Sequence, residues 1–115
     1  MRLEIRSQDL VVGEEWRGYI DRRLRFVLGR FGNRIGCVKA CLADLNGPRG
    51  GMDKRCRIVV HLPRSGVVIV EDTDGDIGSV VDRAADRAGQ AVRRELERRR
   101  ERGGHRAVSR DDRAS

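Results

Sequence analysis

The stretch from Lys54 to Leu62 constrains this chain most. Its residues alternate: Cys56, Ile58, Val60 and Leu62 fall on one side, and Arg55, Arg57, Val59 and His61 on the other. Side chains of a strand point to opposite faces in turn, so this pattern describes a strand with one dry face and one wet face. An antiparallel sheet tolerates that asymmetry, whereas a purely parallel sheet is covered on both sides. The remaining residues must therefore supply partner strands and an apolar cover for a single face.

Both are legible. Arg2 to Ser7 alternates, with Leu3 and Ile5 on one face, and reads as a first strand. Gly13 can start a helix, with Glu14 and Glu15 favourably placed in its first turn. Trp16, Ile20, Leu24, Val27 and Phe31 then recur at helical spacing, and Phe31-Gly32-Asn33 should end that helix with Gly32 as a left-handed cap. Cys37 to Leu45 reads as a second strand with Val38, Ala40 and Leu42 inward, and Asn46 to Gly51 as a loop. After Lys54–Leu62, the turn Pro63-Arg64-Ser65-Gly66 leads to the apolar run 67–70, short enough for a fourth strand. Glu71 to Asp76 reads as an acidic turn feeding a second helix, whose stripe is Ile77, Val81, Ala84, Ala88, Val92 and Leu96. Gly103-Gly104 should stop it. The expected order is β-α-β-β-β-α, an α+β domain over residues 1–102 with two helices on one face of a four-stranded sheet. A disordered tail is expected at 103–115, where apolar content is almost nil.

The charge limits the partners. The chain has 115 residues, 25 of them basic and 18 acidic, for a net charge of +7. All but Lys39 and Lys54 of the basic residues are arginine. Guanidinium groups fork onto phosphate and stack on bases, which suits RNA, although a GC-rich genome also enriches arginine. No apolar run approaches the ~20 residues of a membrane span, and the amino terminus alternates where an export signal would be unbroken. The three cysteines are odd in number, and Cys37 and Cys41 on one strand would lie ~13 Å apart. Free thiols in a reducing cytoplasm are the expected state.

Other chemistry finds little support. Counting from Asp72 as a calcium loop puts Ile77 at its sixth position and Arg83 at its twelfth, where Gly and Glu belong. Cys37, Cys41, Cys56, His61 and His105 show no CxxC spacing, so no metal or other cofactor is expected. Gly47 to Gly51 lacks the Gly-Lys-Ser/Thr ending of a phosphate-binding loop, and reads as a hairpin loop that could present Arg49. No nucleophile–base constellation stands out, so an enzyme with a small-molecule substrate is not expected.

The basic residues of the helices are the candidate site. On the second helix Arg83, Arg87, Arg94 and Arg98 share a face away from the apolar stripe, with Arg93 beside it. On the first, Arg22 and Arg25 lie outside the stripe. Adjacent helices would bring these seven onto one surface suited to RNA phosphates. The plainer reading is a solvated face with local ion pairs, since Asp82, Asp86, Glu95 and Glu97 are interleaved and Glu95 and Arg99 have i,i+4 spacing. Aromatic residues are only 3% of the chain, so recognition would rest on phosphates and shape rather than on base stacking.

Residues 1 to about 102 resemble the ribosome hibernation-promoting factor / ribosome-associated inhibitor family in its short, single-domain form. The residues that carry the resemblance are Met1-Arg2-Leu3-Glu4-Ile5, the helix after it, Asp44 through Gly51, Asp53 through Ile58, Asp76 through Asp82, Asp86-Arg87 and Arg93-Arg94. The resemblance implies a double-stranded-RNA-binding-like fold and a place in the small-subunit channel used by mRNA and tRNA, blocking translation in resting cells. It implies a small ribosomal subunit and its rRNA as partners, with no membrane and no small-molecule substrate. Arg87, Arg93 and Arg94 match the family's basic helix best. The sequence departs from the family at Gly78, where an aromatic is usual, and at Gly89. A protein-interaction or stress regulator using the same fold without ribosome binding is the alternative, and a general RNA chaperone a third reading.

Overall fold

In the computed structural model, which describes residues 1–45 and 53–109 and side chains of the last helix as far as Arg100, the alternating segment is the strand β3, Lys54–Leu62. It lies inside a four-stranded sheet of order β1-β2-β3-β4, formed with β1 (Arg2–Gln8), β2 (Cys37–Asp44) and β4 (Gly66–Asp74). β1 and β2 run parallel and are joined through the helix α1, Glu14–Leu28. β2, β3 and β4 are antiparallel neighbours, so the sheet is mixed. The fold is the expected β-α-β-β-β-α, closed by the helix α2, Ile77–Ser109.

The register puts Ala40 against Ile58 and Ile58 against Val70. Val38, Ala40 and Leu42 thus share the inner face with Cys56, Ile58, Val60 and Leu62, and all are buried. Ile20, Leu24 and Leu28 of α1 and Val80, Val81, Ala84, Ala85, Ala88 and Val92 of α2 cover them. The opposite face stays open, with Val67 51% and Ile69 54% exposed. All three cysteines are free; Cys56 is buried, and its burial pushes the thiol up to about 12, with smaller contributions from Cys41 and Asp72.

The ends of α1, β4 and α2 differ from the sequence expectation. α1 ends at Leu28 and gives way to a 3-10 segment, Gly29–Arg34, in which Phe31 is buried. Gly32 does take a positive φ, but inside that segment (φ 59°, ψ −137°), so it reverses the chain rather than capping α1. β4 runs on to Asp74, making Glu71 to Asp74 strand rather than turn. Those acids can stay in the sheet because basic groups meet them: Arg55 faces Glu71 at 3.7 Å, and Lys54 is the register partner of Asp74. Finally, α2 continues through Gly103-Gly104 to Ser109. The loop expected at Asn46 to Gly51 and residues 110–115 of the expected tail lie outside the described residues.

α2 begins with a cap that suits its sequence. Asp76 accepts hydrogen bonds at its Oδ2 from the Ser79 N–H (2.9 Å) and hydroxyl (3.0 Å), while its carbonyl accepts from Val80 N–H. A carboxylate at this position offsets an orphan N–H of the first turn and stabilises a helix by ~1 kcal/mol.

Two glycines explain how α1 and α2 meet. A Cβ at Gly89 would lie 2.5 Å from Val27 Cγ1, closer than packed atoms approach, so the helices are in backbone-to-side-chain contact there. At Gly78 a Cβ would sit 3.4 Å from the Trp16 ring, so an aromatic from α1 already fills that space. Trp16 stacks edge-on against Tyr19 with centroids 5.5 Å apart, and Tyr19 O–H donates to Asp82 Oδ1 across the helix pair. That bond, then desolvation, raises the Tyr19 phenol above its ordinary value.

Candidate nucleic-acid interface

The seven helical arginines do not gather on one continuous surface. Two flanks of α2 divide them. The flank toward β4 carries Arg83, Arg87 and Arg94, and the flank toward α1 carries Asp82 and Asp86. Arg23 of α1 reaches into the interhelical groove and pairs with Asp82 at 3.3 Å and Asp86 at 3.2 Å. The groove between the helices therefore holds one guanidinium against two carboxylates and offers no unpaired cation there among the described residues.

On the β4 flank the arginines meet the acidic end of the strand. Arg83 pairs with Asp72 at 3.1 Å and Asp74 at 2.8 Å, and donates to the Thr73 carbonyl at 2.9 Å. Arg87 reaches Asp72 at 3.6 Å. These contacts hold the Asp72 carboxyl below its ordinary value, the Arg83 hydrogen bond being the main cause. They also bind the start of α2 to the edge of the sheet. Arg94, two turns further, lines a shallow cleft with Ile69, Val70 and Glu71 and has no ion pair among the described residues.

The remaining candidates vary. Arg25 pairs with Asp21 at 3.0 Å on its own helix. Arg98 pairs with Glu95 at 3.4 Å, three residues back, in place of the Glu95–Arg99 pair the spacing suggested. Arg22 stands beside Trp16, Tyr19 and Gly78 without an ion pair among the described residues. Arg93 lies two turns beyond Asp86, where it lines a cleft with the 3-10 segment and the β3–β4 turn. So four of the seven, Arg25, Arg83, Arg87 and Arg98, are in ion pairs, and Arg22, Arg93 and Arg94 are in none among the described residues. Exposed pairs are worth only ~0–1 kcal/mol, so a phosphate can still compete for a paired guanidinium.

Sequence reading passed over the arginines nearest Arg93. Arg34 comes from the 3-10 segment, Arg64 from the β3–β4 turn, and Arg99 and Arg100 from distal α2, and all line that same cleft. Periodicity could not relate them, because three separate elements bring them together. One local signal was present: Arg64 occupies the turn Leu62-Pro63-Arg64-Ser65, closed by Ser65 N–H to Leu62 carbonyl at 2.8 Å. Its φ is +76°, at the position where a type II turn calls for glycine.

Charge is also graded along α2. Asp72, Asp74, Asp76, Asp82 and Asp86 surround its beginning, and Arg93, Arg94, Arg98, Arg99 and Arg100 crowd its later turns. Among the described residues no helix is long and apolar enough to cross a membrane, and no group of three potential metal-ligating residues occurs.

Comparisons with known proteins agree with this architecture. Residues 3–100 match the family described as Sigma 54 modulation protein / S30EA ribosomal protein. Among solved structures, the crystal structure of the Thermus thermophilus Protein Y N-terminal domain is 28% identical, with a TM-score of 0.68 over 82% of this chain and 98% of that one. A ribosomal subunit interface protein from Coxiella burnetii is 13% identical and shares the fold, with a TM-score of 0.70 over 84% of this chain and 99% of that one. No curated protein matched the chain by sequence.

Proposed function

The chain belongs to the Sigma 54 modulation protein / S30EA ribosomal protein family, a family of non-enzymatic ribosome-associated factors, and on that premise we propose that it binds the small ribosomal subunit through rRNA phosphates. In doing so it inhibits translation or stabilises idle ribosomes under stress, and it acts in the cytoplasm. The family match carries this reading, because residues 3–100 take in all of the four strands but Arg2, together with α1 and every described side chain of α2.

The distribution of charge supports a phosphate-directed mode. Arg22, Arg93 and Arg94 offer guanidinium groups without an internal carboxylate partner among the described residues. Arg83, Arg87, Arg25 and Arg98 form a second rank whose exposed ion pairs can open toward a polyanion. Of the aromatic residues, Phe31 is buried and Trp16 packs on Tyr19, which leaves Phe26, 80% exposed, as a single ring rather than a platform for successive bases.

Co-sedimentation with purified small subunits tests the proposal. Affinity should fall at least about tenfold between ~50 and ~200 mM salt, because each neutralised phosphate releases counterions. Tight binding that ignores salt would contradict a phosphate interface. Absence of binding at low salt would favour a regulator that uses this fold for protein contacts alone.

A further inference from the structure

We propose that the cleft between the 3-10 segment, the β3–β4 turn and distal α2 is a binding site for a run of adjacent phosphates. Where those phosphates belong to RNA, the inference rests on the function proposed above; as a polyphosphate site it stands on its own geometry.

Three observations carry it. First, the cleft of about 450 Å³ is lined by Arg34, Arg64, Arg93, Arg99 and Arg100 against a single carboxylate, Glu97. None of these five arginines is in an ion pair among the described residues, in contrast to Arg83, Arg87 and Arg98 on the same helix or Arg25 on α1. Five cations and one anion leave four positive charges on one concavity. A single carboxylate or phosphate would not balance them, whereas a chain of phosphates would. Local concentrations of one sign of charge in a cleft focus the field and draw in the counter-ion.

Second, part of the cation set is held in place before any ligand arrives. Arg34 Nε donates to the Phe31 carbonyl at 3.4 Å, and its guanidinium stands 6.0 Å from the Phe31 ring centroid. Arg30 stacks over the same ring at 5.1 Å. The apolar lining from Pro63 and Leu96 removes competing hydrogen-bond acceptors from the floor. A guanidinium whose position is fixed loses less freedom when a phosphate binds.

Third, Arg64 adopts a backbone conformation that costs free energy. Its φ of +76° belongs to glycine or asparagine at this point of a turn. A strained residue that persists on the rim of a cationic cleft is what a functional constraint produces.

The site is tested with inorganic tripolyphosphate on the full chain, by amide NMR shifts and calorimetry. Shifts centred on Phe31, Arg34, Ser65, Arg93 and Arg100 are expected. Arg93→Gln with Arg100→Gln, both exposed helix positions, should weaken binding by at least about tenfold, as expected for lost charge-assisted bonds. Arg2→Gln with Arg57→Gln removes the same charge from other elements and should leave it unchanged. Equal loss in both pairs, shifts confined to the Arg83–Arg94 flank, or no saturable binding would overturn the site. Small-subunit affinity of the Arg93/Arg100 variant then identifies the source of the phosphates. A parallel drop assigns them to RNA, and unchanged affinity assigns them to a free polyphosphate. Loss of ribosome binding by the parent protein with tripolyphosphate binding intact would remove the proposed function and leave the site.

Discussion

Arg64 and Asp72 show how single residues here exchange stability for charge placement. Arg64→Gly relieves a left-handed backbone at the third position of its turn. It should stabilise the fold by about 1 kcal/mol, since the strain of a side chain there exceeds the extra entropy of glycine. Urea titration reads the gain, and the same variant should bind tripolyphosphate less tightly. A destabilised variant would mean the Arg64 side chain contributes more through packing than its backbone costs. Asp72 works in the opposite sense. Its carboxyl is held below the ordinary 3.8 by Arg83, and that of Asp74 by the Asp76 N–H and then Arg83. A carboxyl with a depressed folded value contributes stability that is complete above the ordinary value and disappears as pH falls through the lowered one. The melting temperature should therefore fall on acidification below about pH 4, less steeply in Asp72→Asn. Identical slopes in the two proteins would show that other carboxylates govern acid unfolding.

At the level of elements, α1 and α2 are spaced by Gly89. Replacing glycine by alanine in a helix interior ordinarily gains ~1 kcal/mol. Here the new methyl would meet Val27 Cγ1 at 2.5 Å, and a β-branched side chain has little freedom to move aside. Gly89→Ala should thus destabilise by ~1–2 kcal/mol net, because overpacking costs ~1–3 kcal/mol. Val27→Ala in the same chain should recover most of that loss, which thermal melts of the two single variants and the double variant would measure. The contact also explains a residue that looked like a flaw in the sequence, where helix propensity alone condemns Gly89. Periodicity did identify three strands and both helices, since Ile58, Val60, Leu24 and Val81 occupy the buried positions their spacing predicts, whereas β4 was legible only as a short apolar run. It failed at ends. The acidic run Glu71 to Asp74 has poor strand propensity, and basic groups from β3 and α2 offset its charge where it pairs with β3. Leu28 closes α1 because tertiary packing places Phe31 in a 3-10 turn, which no local spacing encodes.

Across the whole molecule, the candidate site was legible as composition and only partly as position. Each helical arginine could be assigned to a polar face, but which face met α1 and which met β4 depended on how α2 rolls against the sheet. Arg34, Arg64 and Arg100 come together only once the topology is closed. The packed body also has a definite end. Leu96 is the last residue of α2 that packs against the core among the described side chains. Removing residues 103–115 should leave the melting temperature unchanged within a degree or two, as about 0.5 kcal/mol or less is at stake away from buried groups. A larger drop would show that the segment docks.

The graded charge of α2 makes the molecule an electric dipole. Aspartates outnumber the arginines paired with them at the helix start, and arginines outnumber Glu95 and Glu97 toward its end, the sense that also complements the helix backbone's own partial charges. From Asp76 to Arg100 the helix rises about 36 Å, a few times the ~8–10 Å over which salt screens a charge. The two poles are therefore felt separately by any polyanion that comes near. Such a surface exerts a torque on the approaching protein, turning its arginine-rich pole forward and its aspartate-rich pole away before contact. Collisions would then arrive mostly in one orientation, and the fraction that proceed to a bound state would depend on alignment as much as on attraction.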